Sequence, residues 1–205
     1  MKKILFSIIA IVALAYTMPA SAQLRLGAVA GVDITTLKFD QKLITVDQSV
    51  GYTAGVIGEL MLPGIGFGID ASLLYTQQGA TLHLGEKPVW ALQGYGTQRS
   101  YLHYIEIPIN VRFKYTNLNG IENTIAPFVF AGPSFSFLLA HNKLEALDYA
   151  GGTIAINVGI GFELYKNIQV AGSYAWGMTY AEKTKLLDGY GAQNRTWKVT
   201  VAYMF

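Results

Sequence analysis

Ile105-Glu106-Ile107-Pro108-Ile109-Asn110-Val111-Arg112-Phe113-Lys114-Tyr115 alternates without a break, with aliphatic or aromatic residues at odd positions and Glu, Pro, Asn, Arg and Lys at even ones. A period of two belongs to a β-strand, whose successive side chains point to opposite faces. This strand has one greasy face and one face bearing full charges. Three other segments repeat the pattern. In 67–76, Phe67, Ile69, Ala71, Leu73 and Tyr75 oppose Gly68, Asp70, Ser72, Leu74 and Thr76. In 154–164, Ile154, Ile156, Val158, Ile160, Phe162 and Leu164 oppose Ala155, Asn157, Gly159, Gly161 and Glu163. In 197–205, Trp197, Val199, Val201, Tyr203 and Phe205 oppose Lys198, Thr200, Ala202 and Met204. Weaker versions at about 24–35, 49–62 and 168–180 have a second face of Gly, Ser, Thr and Ala with charges such as Glu59. The segment 125–139 is apolar on both faces, so its facing stays open.

Eight strands result, and the connections between them alternate in length. Short ones at 63–66, 116–124 and 165–167 carry turn residues, including Pro63-Gly64 and Lys166-Asn167, and long ones fall at 36–48, 79–99, 140–152 and 181–194. An up-and-down barrel inserted from one side of a membrane has short turns on one rim and long loops on the other. The charges decide which face is outside. Glu59, Asp70, Glu106, Asn110, Arg112, Lys114, Asn157, Glu163 and Lys198 would be costly in the apolar cavity of a soluble barrel. An aliphatic outer belt against lipid accommodates both faces. The expected fold is therefore all-β: an eight-stranded antiparallel up-and-down transmembrane β-barrel with short periplasmic turns and long extracellular loops. Tyr52, Tyr75, Tyr101, Trp176, Tyr180 and Trp197 should ring the long-loop rim, and Phe67, Phe113, Tyr115, Tyr165, Tyr203 and Phe205 the other.

Composition agrees. The 205 residues are 52% hydrophobic and 14% charged, yet no apolar run after residue 22 is long enough for a spanning helix. Residues 1–22 have Lys2-Lys3, an apolar run from Ile4 to Tyr16, Pro19 and Ala20-Ser21-Ala22, the layout of a cleaved secretory signal peptide, which leaves 23–205 as one barrel domain. Cleavage removes two of the 15 basic residues and leaves 13 against 13 acidic ones. The mature chain is formally neutral, so the electrostatic case for nucleic-acid binding disappears. The absence of cysteine excludes disulfides, thiolate chemistry and a lipoprotein anchor.

Chemistry is sparse. His83, His103 and His141 are the only histidines, and none has a partner at metal-ligand spacing. Ser100, His103 and Glu106 suggest a hydrolase triad, but His103 and Glu106 have opposite parity on one strand and point to different faces. The expectation is no catalytic residue, no metal, no cofactor and no enzyme. Glycines such as Gly159 and Gly161 read as small inward positions of a narrow barrel, and Pro108 should interrupt the ladder. Glu59, Asp70 and Arg112 fall at similar heights on consecutive strands and are expected to form a buried ion cluster, with Glu106, Lys114, Glu163 and Lys198 as further interior charges.

Three segments resemble one family: Tyr101-Leu102-His103-Tyr104-Ile105-Glu106-Ile107-Pro108-Ile109, Pro127-Phe128-Val129-Phe130-Ala131-Gly132-Pro133, and Gly159-Ile160-Gly161-Phe162-Glu163-Leu164. They look like the PorT-like outer-membrane β-barrel family of Gram-negative bacteria, over nearly all of 23–205. The resemblance implies an eight-stranded outer-membrane barrel; most members have no assigned activity, and the founding member is associated with a protein-secretion machine. The chain's end, with Trp197, Val199, Val201, Tyr203 and Phe205 in register, is similar to the C-terminal signal by which the barrel-assembly machinery recognises its clients.

The expected partners are thus outer-membrane lipid, the assembly machinery during biogenesis, and a protein at the extracellular loops. The 79–99 loop is the candidate contact surface, because Trp90 and Tyr95 sit there among Gly and Gln with no core to fill. A binding or scaffold element is the leading functional expectation; a narrow pore and an accessory subunit of a secretion or assembly complex are the alternatives.

Overall fold

A computed structural model describes residues 23–39, 45–62, 64, 66–83, 97–115, 120–141, 147–184 and 191–205. Its strands are β1 (Gln23–Phe39), β2 (Thr45–Met61), β3 (Phe67–His83), β4 (Thr97–Lys114), β5 (Ile125–His141), β6 (Leu147–Tyr149), β7 (Gly152–Leu164), β8 (Ile168–Thr184) and β9 (Gly191–Met204). Neighbours pair antiparallel in the order β8-β7-β5-β4-β3-β2-β1-β9, and β8 also pairs β9. The result is a closed eight-stranded antiparallel β-barrel, with the three-residue β6 appended to the upper end of β8. Closure leaves no edge of unpaired backbone groups for lipid to meet.

The registers fix the barrel's size. Cα partners lead from Gln23 through Met61, Gly68, Arg112, Phe130, Gly159, Ser173 and Lys198 to Asp33, ten residues farther along β1. A shear of ten over eight strands tilts them by roughly 40° and raises the chain ~2.5 Å along the axis per residue. About ten residues of each strand therefore cross a ~25 Å apolar band. The strands are longer than that, and longer than their alternation indicates. The segments 36–48, 79–99, 140–152 and 181–194 are in part strand, and pairs such as Leu82↔Gln98 and His83↔Thr97 continue the ladder. Lipid imposes the alternation; above it both faces can be polar, so pairing outlasts the pattern that reveals it.

On the outer face Leu26, Val56, Val111, Ile160 and Val199 are each more than half exposed. Tyr52, Tyr75, Trp176 and Trp197 mark the upper end of this belt and Phe67, Tyr115, Tyr203 and Phe205 the lower. Tyr174 ties the upper ring together, with its centroid 4.6 Å from Trp176 and 4.7 Å from Trp197. The facing of β5 is now fixed: Ala126, Phe128, Ser134 and Ser136 point inward, while Val129, Ala131, Pro133 and Phe137 point outward. At Pro108 the β3–β4 pairing lapses and then resumes in the same register, so the proline breaks the ladder without a bulge.

At the lower rim β7 turns into β8 through Tyr165 and Lys166, both left-handed (φ 50° and 63°). Asn167 fastens this turn to the end of the chain: its Nδ2 donates to the Met204 carbonyl at 2.8 Å, and the Met204 N–H donates to the Asn167 carbonyl at 2.6 Å.

Candidate functional site

The lumen is the best-defined polar site, and it has two tiers. The lower one centres on Arg112 of β4. Its Nε donates to Asp70 Oδ2 at 2.9 Å, and its Nη1 to Glu59 Oε2 and Gln169 Oε1, each at 2.7 Å. Lys114, one inward step below, donates to Glu59 Oε1 at 2.5 Å and Glu163 Oε2 at 2.8 Å. Gln169 donates through Nε2 to Glu59 Oε2 at 2.7 Å and Glu163 Oε2 at 2.8 Å. Arg25 reaches Glu163 Oε2 at 2.8 Å and hydrogen-bonds the Lys166 carbonyl, while Asn110 donates to Asp70 at 2.8 Å. Three cations (Arg25, Arg112, Lys114) thus balance three carboxylates (Glu59, Asp70, Glu163). Such pairing and hydrogen bonding are what keep buried charges tolerable.

Arg112 also roofs the aromatic part of the lumen, with Cζ 4.3 Å from the Phe128 ring centroid and 5.8 Å from that of Phe130. These rings fit because β7 opposes them with Gly159 and Gly161. A Cβ added to Gly159 would lie 2.3 Å from Phe130 Cζ, and one on Gly161 2.5 Å from Phe128 Cζ.

The upper tier joins Lys198 to Glu106. Glu106 also accepts from Ser134 Oγ at 2.8 Å and Thr76 Oγ1 at 3.2 Å. Thr53 pairs with Thr76 and Thr35 with Thr196. Asp33, fully buried and the cross-strand neighbour of Lys198, has no hydrogen-bond donor on either carboxylate oxygen among the described residues. Cavities of about 60 Å³ between the tiers and about 20 Å³ above them leave space for a few waters. A wider cavity of about 570 Å³ opens below the lower tier at the short-turn rim.

Glu59, Asp70, Arg112, Lys114 and Glu163 therefore meet in one network, and Glu106 and Lys198 meet in another. Arg25 and Gln169 belong to the first, although the sequence reading did not single them out. Both have inward parity on weakly alternating strands, which was the available signal. His103 faces outward, where Nδ1 is 2.7 Å from the Tyr75 hydroxyl, and Glu106 faces the lumen. The Ser100 side chain lies outside the described residues, as do Trp90 and Tyr95. Among the described residues no group of three His, Asp or Glu side chains is placed to hold a metal ion. Trp197, Val199, Val201 and Tyr203 form the outward row of β9, and the Phe205 N–H donates to the Leu26 carbonyl at 2.8 Å, completing the seam with β1.

A family model described as outer membrane protein beta-barrel domain matches residues 19–181. No curated protein matches the sequence. Among solved structures, Neisserial surface protein A (NspA) is similar at 11% identity and a TM-score of 0.51, with 90% of this chain and 99% of that one covered. Ail, the attachment invasion locus protein of Yersinia pestis, solved with the heparin analogue sucrose octasulfate, is 13% identical at a TM-score of 0.47, covering 89% and 99%. The outer membrane enzyme PagL is 10% identical at 0.48, covering 84% and 98%. At 11% identity the likeness to NspA is one of fold alone.

Proposed function

The chain belongs to the outer membrane protein beta-barrel domain family, and from that premise we propose that it is a non-enzymatic outer-membrane protein acting through its extracellular loops as a binding or scaffold element. One observation carries this reading over a pore. The lumen is crossed by two hydrogen-bonded charge networks with an aromatic wedge beside the lower one, and the spaces left between are of water size. Function then resides at the rim. Residues 1–22 serve as the export signal in this proposal, and the aromatic row ending in Phe205 addresses the chain to the assembly machinery. Within the family we place it with the PorT-like barrels, on the Tyr101–Ile109 and Pro127–Pro133 segments.

Two measurements test the proposal. A photo-crosslinking residue at Trp90 or Tyr95, in cells, is expected to capture a discrete protein partner. Purified barrel in planar bilayers is expected to give no resolvable single-channel current. A steady conductance from the wild-type barrel would overturn the filled-lumen reading, and crosslinks to lipid alone would overturn the protein-partner reading. A captured secretion subunit would identify the scaffold role as an accessory one.

A further inference from the structure

Among the described wall side chains, every Asp, Glu, Lys and Arg faces the lumen except one. The exception is Arg195 of β9, which shares its outward parity with Trp197 and Val199 and sits across from Trp176 on β8 and Thr36 on β1. Two residues above Trp197, it stands ~5 Å above that residue, at the upper edge of the aromatic ring, at the rise deduced above. A cation on the lipid face is strongly disfavoured at mid-belt and tolerated at the interface, where headgroup phosphates lie.

The wall beside Arg195 is recessed. Between Trp176↔Arg195 and Tyr180↔Gln193, β8 spends two more residues than β9, and the pairing slips. The slip leaves an outward groove of about 350 Å³ lined by Ile156, Trp176, Gly177, Met178, Gln193 and Arg195. Ile156, Trp176 and Met178 are exposed there. Gly177 forms the floor, where a Cβ would come within 2.7 Å of the Asn194 carbonyl oxygen. Arg195 donates through Nη2 to Gln193 Oε1 at 3.2 Å and has no carboxylate partner among the described residues. An apolar slot headed by a guanidinium matches a lipid with an acyl chain below an anionic headgroup.

We propose that this groove binds a phosphorylated glycolipid of the outer leaflet. The Arg195 guanidinium takes a headgroup phosphate in bidentate fashion, Gln193 supplies an amide donor beside it, Met178 flanks the headgroup end, and an acyl chain lies along Trp176 and Ile156 below. The site rests on the outer-membrane reading above but not on any role of the loops. Its test is native mass spectrometry of the purified full barrel in detergent, titrated with bisphosphorylated lipid A, dephosphorylated lipid A and phosphatidylglycerol. The bisphosphorylated form should bind about tenfold tighter than the other two, and Arg195→Gln should remove that preference. Heat-modifiable gel migration confirms that the variant is folded. Were Arg195→Gln to fail that check, Arg195→Lys, which keeps the charge but not the fork, should show about a threefold loss. Unchanged lipid A binding by the folded variant overturns the site, and so does equal binding of phosphatidylglycerol. Absence of that preference in the wild-type barrel while loop crosslinking persists would sink this site alone.

Discussion

Replacing Arg112 by methionine retains a long unbranched side chain for the Phe128 ring to pack on but deletes the guanidinium. Glu59 keeps Lys114 at 2.5 Å and Gln169 at 2.7 Å. Asp70 fares worse, because its only other side-chain donor among the described residues is Asn110 at 2.8 Å. A carboxylate stripped of its cation in a closed lumen typically costs ~3–5 kcal/mol. At an m-value of ~2 kcal/mol per M urea, that lowers the unfolding midpoint by roughly 2 M. The assay is urea unfolding of the barrel in lipid vesicles, followed by Trp176 and Trp197 fluorescence and by heat-modifiable migration. Adding Asp70→Asn to Arg112→Met removes the stranded charge and should restore about 2 kcal/mol, since an absent pair is less harmful than a broken one. A loss below ~1 kcal/mol for Arg112→Met, or no recovery in the double variant, would refute the claim that Asp70 depends on Arg112 for its charge compensation.

Val158→Arg puts a charge in the middle of the outer belt and should cost ~2–4 kcal/mol in the same vesicle assay, whereas a neutral result would mean that this face does not meet lipid. Gly159→Ala drives a methyl into the Phe130 ring and toward the Gly172 carbonyl oxygen; a ~1–3 kcal/mol loss is expected, partly relieved by Phe130→Leu, and unfolding midpoints equal to wild type would count against the interlock. Phe205→Asp is expected to lower the amount of folded barrel in outer-membrane fractions several-fold while the purified variant still refolds in detergent. Wild-type levels in the cell would remove the terminal aromatic from the assembly signal.

How much of this could be read from the chain depends on where lipid writes on it. Along 105–115 and 154–164 one face meets hydrocarbon and the other meets charge, so parity alone assigns Glu106, Arg112, Lys114 and Glu163 to the lumen. Along 125–139 parity was silent, because Phe128 and Phe130 are as apolar as the lipid-facing Val129. What sends them inward is the space opposite, at Gly159 and Gly161, and that space depends on a β5–β7 register the sequence does not state. The upper ends of the strands were hidden for a different reason. Above the belt, backbone hydrogen bonds hold the ladder with no demand on side-chain polarity, so Thr81↔Arg99 pairs without leaving an alternation. The lower network was legible only as a triplet at similar heights. Arg25 lies across from Glu59 and Gln169 across from Glu163, but the contacts of Arg25 with Glu163 and of Gln169 with Arg112 join strands that come together only once a shear of ten has closed the wall.

The lower network also bears on how the barrel selects its own alignment. A hairpin that slips by two residues keeps parity, so its greasy face still meets lipid and hydrophobicity cannot detect the mistake. The charges can. Arg25, Glu59, Asp70, Arg112, Lys114, Glu163 and Gln169 come from six strands, and a slip of two residues in any one of them carries its contribution ~5 Å away from the rest. Each misaligned barrel would then hold ions parted from their partners in a lumen where a few waters are a poor substitute for a paired charge. The salt bridges of this lumen thus act as a combination lock, readable only when every strand stands at its own number.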